Sequence, residues 1–374
     1  SKANSITLNA GANLNSRPRW ETTYYRYLDA REALSLYSER PVAETDDGTS
    51  IEAGLNWTHT YAQPGRKLTA LVSGSRFMGE RSMSARQSFT LPDGEPQAIP
   101  IGQYNHTDDK NFVGVGQVDY VHPLSPQSRF ETGYKLIVRQ ADEDTRAEYL
   151  DAASDVWNYD STRSNHFIYT EQVHAMYGIY ANKWGKWDYQ LGLRLEQALT
   201  QGEQKTIDQT HHYNYFSFFP SLHLARKLTE TQTLQLSYTR RINRPNFNAL
   251  NPFIEYTDPL NTQSGNPYLR PEYVNALEVQ YVRMAERLTL TASIYYRLTT
   301  DQMMRFRTVR PDGVALTTQA NLNNNHSYGV EAIAVTRWAK WCNTTASFNL
   351  FGLYLQDNAV VVGQARQGVS WTGK

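Results

Sequence analysis

The chain has 374 residues, 37 basic and 37 acidic side chains, and a mean hydropathy of −0.61. Balanced charge argues against a nucleic-acid partner, which normally requires a basic excess. No segment approaches the roughly 18 consecutive apolar residues of a membrane helix, so a helical membrane protein is excluded. A wide membrane β-barrel is not excluded. Only every second side chain of its strands faces lipid and has to be apolar, so its mean hydropathy can be as low as that of a soluble protein.

The cysteine content and the N-terminal segment exclude further kinds of site and processing signal. A single cysteine, Cys342, rules out an intramolecular disulfide and a cysteine-based zinc site. The segment Ser1–Asn4 has no apolar core of a signal peptide and leads directly into a strand pattern. We therefore expect a mature or incomplete chain.

Alternation of apolar and polar residues recurs along the whole chain and predicts β-strands. Clear examples are Ile6–Leu14, Phe130–Val138, Trp187–Leu195 and Tyr273–Tyr281. We count about fifteen such segments, many alternating over about 10 to 13 residues, with approximate boundaries. Strands of that length, tilted by about 45°, cross an apolar band about 25 Å tall. The prediction is an all-β fold, a wide transmembrane antiparallel β-barrel of the outer-membrane type.

Short and long connections alternate between the predicted strands. The short turns are predicted at Ala62–Lys67, His122–Ser128, Lys183–Lys186, Arg226–Thr231, Ala285–Arg287 and Ala339–Lys340. Long polar loops are predicted near 30–49, 78–110, 140–170, 200–213, 244–271 and 299–325. Outer-membrane barrels have short periplasmic turns and long extracellular loops. The asymmetry therefore predicts that the end with the short turns faces the periplasm and that the end with the long loops faces the cell exterior.

Aromatic residues cluster beside the short turns. They are Trp57, Tyr61, Trp184, Trp187, Trp338 and Trp341. Amphipathic rings are favoured at the headgroup level, so we predict a periplasmic girdle. The alternative is that aromatic residues are simply common in strands.

Catalytic and metal-binding patterns are weak. The pair His211-His212 lacks further ligands at suitable spacing, which favours ordinary loop histidines. The acidic clusters Asp108-Asp109 and Asp142–Asp144 could bind calcium or bridge lipopolysaccharide through cations, although solvated loop charge is the simpler interpretation. We expect no enzymatic activity, no cofactor and no metal site.

One stretch has a more specific pattern. Ser237–Pro245 is followed by Leu250–Phe253 and then by Gly265–Glu272, and this succession resembles the barrels of TonB-dependent outer-membrane transporters. The motif residues are Arg241, Asn243, Pro245, Gly265, Asn266, Pro267, Leu269, Pro271 and Glu272. We interpret them as mainly structural rather than as substrate contacts: Gly265 permits a positive-φ turn, the prolines stiffen the returning segment, and Glu272 begins the next strand.

The resemblance implies a larger protein. Such transporters have 22 strands, an N-terminal plug inside the barrel, and a periplasmic segment that TonB pulls. Residues 1–374 would then be a partial barrel, with the plug domain and the last strands absent from this sequence.

The resulting expectation is an active transporter in the bacterial outer membrane that takes up a bulky nutrient such as a metal chelate, a glycan or a peptide. The alternatives are an accessory or scaffold barrel within an outer-membrane complex and a passive porin. Expected partners are outer-membrane lipid and lipopolysaccharide, TonB through the missing N-terminal segment, and a surface lipoprotein or other outer-membrane subunits, but not nucleic acid.

Candidate ligand-binding residues lie in the predicted extracellular segments. Aromatic side chains there could stack on a large ligand, and two arginines could engage anions. These residues are Tyr104, Trp157, Tyr159, Tyr213, Tyr215, Phe247, Phe253 and Tyr256, with Arg244 and Arg270.

Overall fold

The computed structural model describes residues 3–97, 100–151, 154–255, 258, 260–339, 341–357 and 366–374. The strands are β1 (Asn4–Leu28), β2 (Leu34–Thr60), β3 (Lys67–Thr90), β4 (Ile101–Pro123), β5 (Ser128–Asp151), β6 (Val156–Tyr159), β7 (Asn165–Trp184), β8 (Trp187–Gln204), β9 (Gln209–Thr229), β10 (Gln232–Asn243), β11 (Ile254–Glu255), β12 (Asn261–Ser264), β13 (Glu272–Ala285), β14 (Leu288–Val309), β15 (Ala315–Ala339), β16 (Cys342–Asp357) and β17 (Arg366–Gly373). A short helix, α1 (Phe247–Leu250), and a 3₁₀ turn, Lys205–Ile207, complete the described elements. None of the described helical segments is long and apolar enough to span a membrane.

The wall of the protein is one antiparallel meander. Fourteen of the strands follow one another in it, each paired with its predecessor in the wall, while β6, β11 and β12 belong to connecting segments. Within the described residues β1 pairs with β2 alone and β17 with β16 alone, so the sheet does not close on itself. The strand count agrees with the sequence-based prediction to within one.

Five of the six short turns lie where the sequence predicts them, and the sixth, Ala339–Lys340, includes Lys340, which lies outside the described residues. Most of the predicted long loops, by contrast, are not loops. Most of residues 30–49, 78–110, 140–170, 200–213 and 299–325 is strand, and several wall strands reach 20 to 27 residues. In the β1–β2 hairpin, for instance, pairing continues from Leu14↔Thr49 to Arg26↔Tyr37. Beyond the membrane neither face meets lipid, so hydropathic alternation stops while backbone groups still pair. The prediction of a long loop is confirmed for residues 244–271.

The two faces of the wall differ in chemistry. On β8, Leu191, Leu193 and Leu195 share one face and are 38 to 49 % exposed, whereas Arg194 and Glu196 lie on the other. The polar residues that sequence alternation assigns to the lumen share this second face across the wall. A face of exposed leucine and valine is the one that lipid covers, so we call it the outer face and the polar one the inner face.

Candidate functional site

Residues 244–271, called the inner loop below, leave the wall after β10 and return to it at β13. At its base the Asn243 amide nitrogen donates to the nearly buried Glu272 carboxylate at 2.9 Å, across the last register pair of the two strands. Asn246 caps α1, since its side-chain oxygen accepts from the backbone N–H of Ala249 at 2.8 Å. The base of the loop is therefore closed, and its helix is capped.

The inner loop contacts strands at both ends of the sheet. Its Asp258 carboxylate accepts a hydrogen bond from the Tyr25 hydroxyl of β1 at 3.0 Å. Asn251 meets the Asn165 amide of β7 at 3.4 Å. Residues 261–263 pair in parallel with 315–317 of β15, in a sheet that is otherwise antiparallel. The loop thus lies against the inner face and links the first strands of the meander with the late ones.

A set of buried ion pairs anchors the start of the inner loop. The Arg244 guanidinium donates to the Glu196 carboxylate at 2.6 Å and to the Tyr215 hydroxyl at 2.8 Å, and it lies 3.6 Å from Glu171. Arg194 bonds to Glu196 at 2.6 Å and Arg139 bonds to Glu171. The Glu171 and Glu196 side chains are only 3 and 7 % exposed. The charge of Arg244 is therefore already compensated by protein carboxylates.

An aromatic cavity of about 270 Å³ lies between β7–β9 and the returning end of the loop. The Tyr213 and Tyr215 rings are 5.1 Å apart, and the His211 and Tyr268 rings meet edge to face at 5.2 Å. Tyr268 is 75 % exposed and is accessible to a ligand. Leu269, with the motif residues Pro245, Pro267 and Pro271, completes the apolar side of this cavity.

A second, charged cavity of about 630 Å³ lies between the loop and β1–β5. Asp109 and Glu143 face each other there as a cross-strand pair of β4 and β5, beyond the apolar part of the wall. Burial raises the pKa of Glu143 to about 7, and the negative charge of the nearby Asp109 is the second cause of this shift. Burial likewise raises the pKa of Asp109, against the opposing charge of Arg81. Burial and mutual repulsion therefore favour the protonated form of Glu143 more than that of an isolated carboxyl group.

The predicted ligand-binding residues separate into two groups. Tyr213, Tyr215, Arg244 and Arg270 line the aromatic cavity. Phe247 and Phe253 line the charged cavity. Arg270, like Arg244, is already paired, here with Asp301 at 2.6 Å.

Three further candidates lie elsewhere. Tyr104, Trp157 and Tyr159 belong to the β4–β6 ribbon, where their register places them on its outer face, opposite to Asp109 and Glu143. The Tyr104 and Trp157 rings pack at 6.3 Å. Tyr256 lies outside the described residues. The structure therefore does not bring the predicted aromatic residues together into one site.

Several cavity residues were not predicted. Phe167 and Tyr169 occupy inward positions of β7, which alternation assigns to polar side chains, and both are buried. The sequence pattern favours an ordinary loop histidine at His211, and it gives Tyr268, which lies within the motif, no role in binding. The presence of an aromatic residue at a motif position was the available signal for Tyr268.

The motif residues make contacts within the protein, but the predicted reason for a glycine at position 265 is wrong. Gly265 does not adopt a positive φ; a Cβ there would lie 2.4 to 2.7 Å from the backbone oxygens of Asn251, Ala249 and Asn248. Glycine is therefore needed for a close backbone approach rather than for a left-handed turn. Asn266 fixes the same corner, since its backbone N–H donates to Ala249 at 2.7 Å. Arg241 is exposed on the inner face of β10.

The aromatic residues of the predicted girdle all lie at the short-turn end. Trp184 and Trp187 face each other across the β7–β8 turn, and Trp338 and Trp341 flank the β15–β16 turn. Trp57 and Tyr61 flank the end of β2. Trp184, Trp338 and Trp341 are 68 to 88 % exposed. Their contact with lipid headgroups stays a prediction.

Metal-binding groups are sparse. Among the described residues no group of three or more His, Cys, Asp or Glu side chains is placed to hold a metal ion. His211 and His212 both line the aromatic cavity.

Comparison with known proteins identifies the family. The family model described as "Outer membrane protein beta-barrel family" matches residues 59–373. The chain belongs to this family. No curated protein sequence matches it significantly.

One of the similar solved structures shares this fold, and two others are more distantly similar. The copper transporter OprC is 12 % identical over 94 % of this chain, with a TM-score of 0.51. The ferric citrate transporter FecA is 10 % identical over 90 % of the chain, with a TM-score of 0.47. The ferric yersiniabactin uptake receptor FyuA from Yersinia pestis is 11 % identical over 98 %, with a TM-score of 0.41.

Family membership confirms the predicted class of fold and its location. This outer-membrane barrel protein resides in the bacterial outer membrane. That its short turns face the periplasm stays a prediction. The chain spans 64, 55 and 62 % of the lengths of OprC, FecA and FyuA, respectively.

Proposed function

We propose that this barrel is the wall of an active, TonB-dependent transporter that takes up a bulky nutrient such as a metal chelate, a glycan or a peptide. The observation that carries the proposal is the inner loop, which holds an accessible aromatic cavity against the inner face of the wall. A plug domain and a TonB-contacting segment, as in the transporters that the motif resembles, would complete the machinery. The fold shared with OprC makes transport the first function to test.

The aromatic cavity is the proposed place of ligand capture. Tyr213 and Tyr268 offer exposed ring faces, which suit stacking on a flat or cyclic ligand. Arg244 and Arg270 are held by carboxylates, so their first role in the proposal is to fix the loop, and an anionic ligand would have to compete with Glu196 or Asp301. This favours uncharged, aromatic or glycan-like surfaces of the ligand over isolated anions.

Uptake should depend on cellular energy. Cells that carry the full-length protein are compared with a deletion strain for accumulation of three labelled probes, namely ferric citrate, a maltodextrin and a mixed oligopeptide. Accumulation of at least one probe should require both the protein and TonB, and should stop when a protonophore collapses the proton gradient. Accumulation that requires the protein but persists without TonB would contradict active transport.

A passive porin is the second candidate, because the inner loop narrows a charged cavity whose lining carries Arg81, Glu143 and Glu255. A porin would give steady ion conductance when the purified full-length protein is added to a planar bilayer. A transporter closed by a plug would give none until the plug is removed.

A further inference from the structure

An arginine at the short-turn end of the wall, which is predicted to face the periplasm, has an unusual environment. Arg66 ends the turn between β2 and β3, and its guanidinium carbon lies 4.3 Å from the centre of the Tyr61 ring and 5.7 Å from that of Tyr120. Its Nε donates a hydrogen bond to the Tyr120 hydroxyl at 2.8 Å. We call Arg66, Tyr61, Tyr120, His59 and His122 the rim cluster.

The rim cluster is held in place by its neighbours. The Tyr120 hydroxyl is also hydrogen-bonded to Nδ1 of His122 at 3.1 Å, and the His59 ring meets Tyr61 edge to face at 4.5 Å. The turn is closed by the backbone N–H of Tyr61, which donates to the Arg66 carbonyl at 3.1 Å. Because these contacts fix the guanidinium, little side-chain entropy remains to be lost when it binds a ligand.

The cluster lies on the outer face, next to the short turn between β2 and β3. Tyr120 pairs with Leu68 and shares its face with Val118 and Val72, which are 47 and 67 % exposed. It is three residues from the end of β4, and Arg66 lies in the turn itself. Amphipathic rings near the turns of outer-membrane barrels are favoured at the boundary between acyl chains and headgroups.

Among the described residues, the charge of Arg66 has aromatic neighbours but no carboxylate partner. On the inner face, Arg129, Arg139 and Arg194 each pair with a glutamate. No carboxylate of the described residues lies within ion-pairing distance of Arg66, although its two terminal amino groups remain available after Nε has bonded to Tyr120. Arg226 repeats the arrangement on the outer face, with its guanidinium carbon 5.0 Å from the centre of the Trp187 ring.

We propose that the rim cluster is a binding site for the phosphate diester of a glycerophospholipid of the periplasmic leaflet. The planar guanidinium fork of Arg66 matches two phosphate oxygens, and the aromatic rings contact the glycerol and upper acyl region. Arg226 with Trp187 forms a second, simpler site of the same kind. The inference concerns lipid binding by the wall and is independent of transport.

Native mass spectrometry of the purified full-length protein tests the proposal. The protein is released from micelles and titrated with phosphatidylglycerol, with diacylglycerol of the same acyl chains, and with glycerophosphate alone. The variants are Arg66→Gln and, as a matched control, Arg297→Gln. Arg297 also lacks a carboxylate within ion-pairing distance among the described residues and lies 5.2 Å from the centre of the Tyr295 ring, but it faces the lumen.

Wild-type protein should retain phosphatidylglycerol in preference to diacylglycerol. Arg66→Gln should weaken retention about 5- to 30-fold, as expected for loss of charge-assisted hydrogen bonds, while Arg297→Gln leaves it unchanged. Equal loss in both variants, or none in Arg66→Gln, would overturn the site. Equal retention of diacylglycerol would show an apolar surface without phosphate recognition, and equal binding of glycerophosphate would show a free-phosphate site instead of a lipid site.

Folding of each variant is checked by its heat-modifiable migration on gels. If Arg66→Gln fails to fold, Tyr120→Phe serves as the second variant, because it keeps the charge but removes the hydroxyl that orients Nε. It should weaken retention about 3- to 10-fold, and unchanged retention would contradict the proposal. The comparison of the two lipids on wild-type protein remains decisive in either case.

Discussion

Replacing Arg244 by leucine should release the inner loop and leave the wall intact. Arg244 is the residue through which the loop joins the buried carboxylates of β7 and β8, while Glu171 and Glu196 also hold Arg139 and Arg194 from the wall. After the change, Glu171 still pairs with Arg139 and Glu196 still pairs with Arg194. The wall should therefore keep its charge balance while the loop loses its anchor.

The magnitude follows from the burial of the group. Breaking a buried ion pair costs about 3 to 5 kcal/mol when a charge is left without a partner. Here each carboxylate keeps an arginine, so the loss should be about 2 to 3 kcal/mol and should affect loop docking. Because 1.36 kcal/mol corresponds to a tenfold change, amide exchange in the docked loop should accelerate by roughly 30- to 150-fold.

Hydrogen exchange read by mass spectrometry measures this effect. The reporter amides are those of Ala249, Gly265 and Asn266, which are bonded within the loop. Wall peptides of β8 serve as the internal reference. Arg139→Leu is the matched control, because Arg139 belongs to the same set of ion pairs but makes none of the contacts that hold the loop. This change should alter hydrogen exchange in the loop by less than about fivefold.

Two results would refute this reasoning. Unchanged loop exchange in Arg244→Leu would mean that the ion pairs do not hold the loop. Equal acceleration of loop and wall would mean that Arg244 stabilises the barrel as a whole.

Three further predictions concern proton uptake, the loop corner and ligand capture. Because folding raises the pKa of Glu143 to about 7, its contribution to stability should be complete below the pKa that the carboxyl has in the unfolded chain and should be lost as pH rises through 7. Thermal unfolding should therefore show that the wild type is less stable at pH 8 than at pH 5. A Glu143→Gln variant whose stability falls equally steeply with pH would contradict this. Gly265→Ala should undock the loop by about 2 to 4 kcal/mol, because its Cβ would overlap backbone oxygens; loop exchange equal to wild type would disprove it. Tyr268→Ala should lower probe uptake about tenfold through lost stacking, whereas Trp157→Ala should not; equal effects would place capture outside the aromatic cavity.

The sequence by itself determined the class of fold. Alternation in segments such as Trp187–Leu195 reports which side chains meet lipid, and the membrane imposes that pattern on each strand locally. Turns such as Lys183–Lys186 are equally local, because two or three residues must reverse the chain. The motif of Gly265–Glu272 indicated a special segment at the correct place.

Tertiary structure alone decided the rest. Outside the membrane no solvent difference marks the two faces, so the sequence could not show that β1 and β2 continue far beyond the apolar band. The aromatic cavity combines Tyr213 of β9 with Tyr268 of the inner loop, and the ion pairs join Arg244 to Glu171 of an earlier strand. These contacts depend on where the loop folds, which is set by packing between residues far apart in the chain. For the same reason Gly265 proved necessary for contact with Asn251 and Ala249 rather than for a turn.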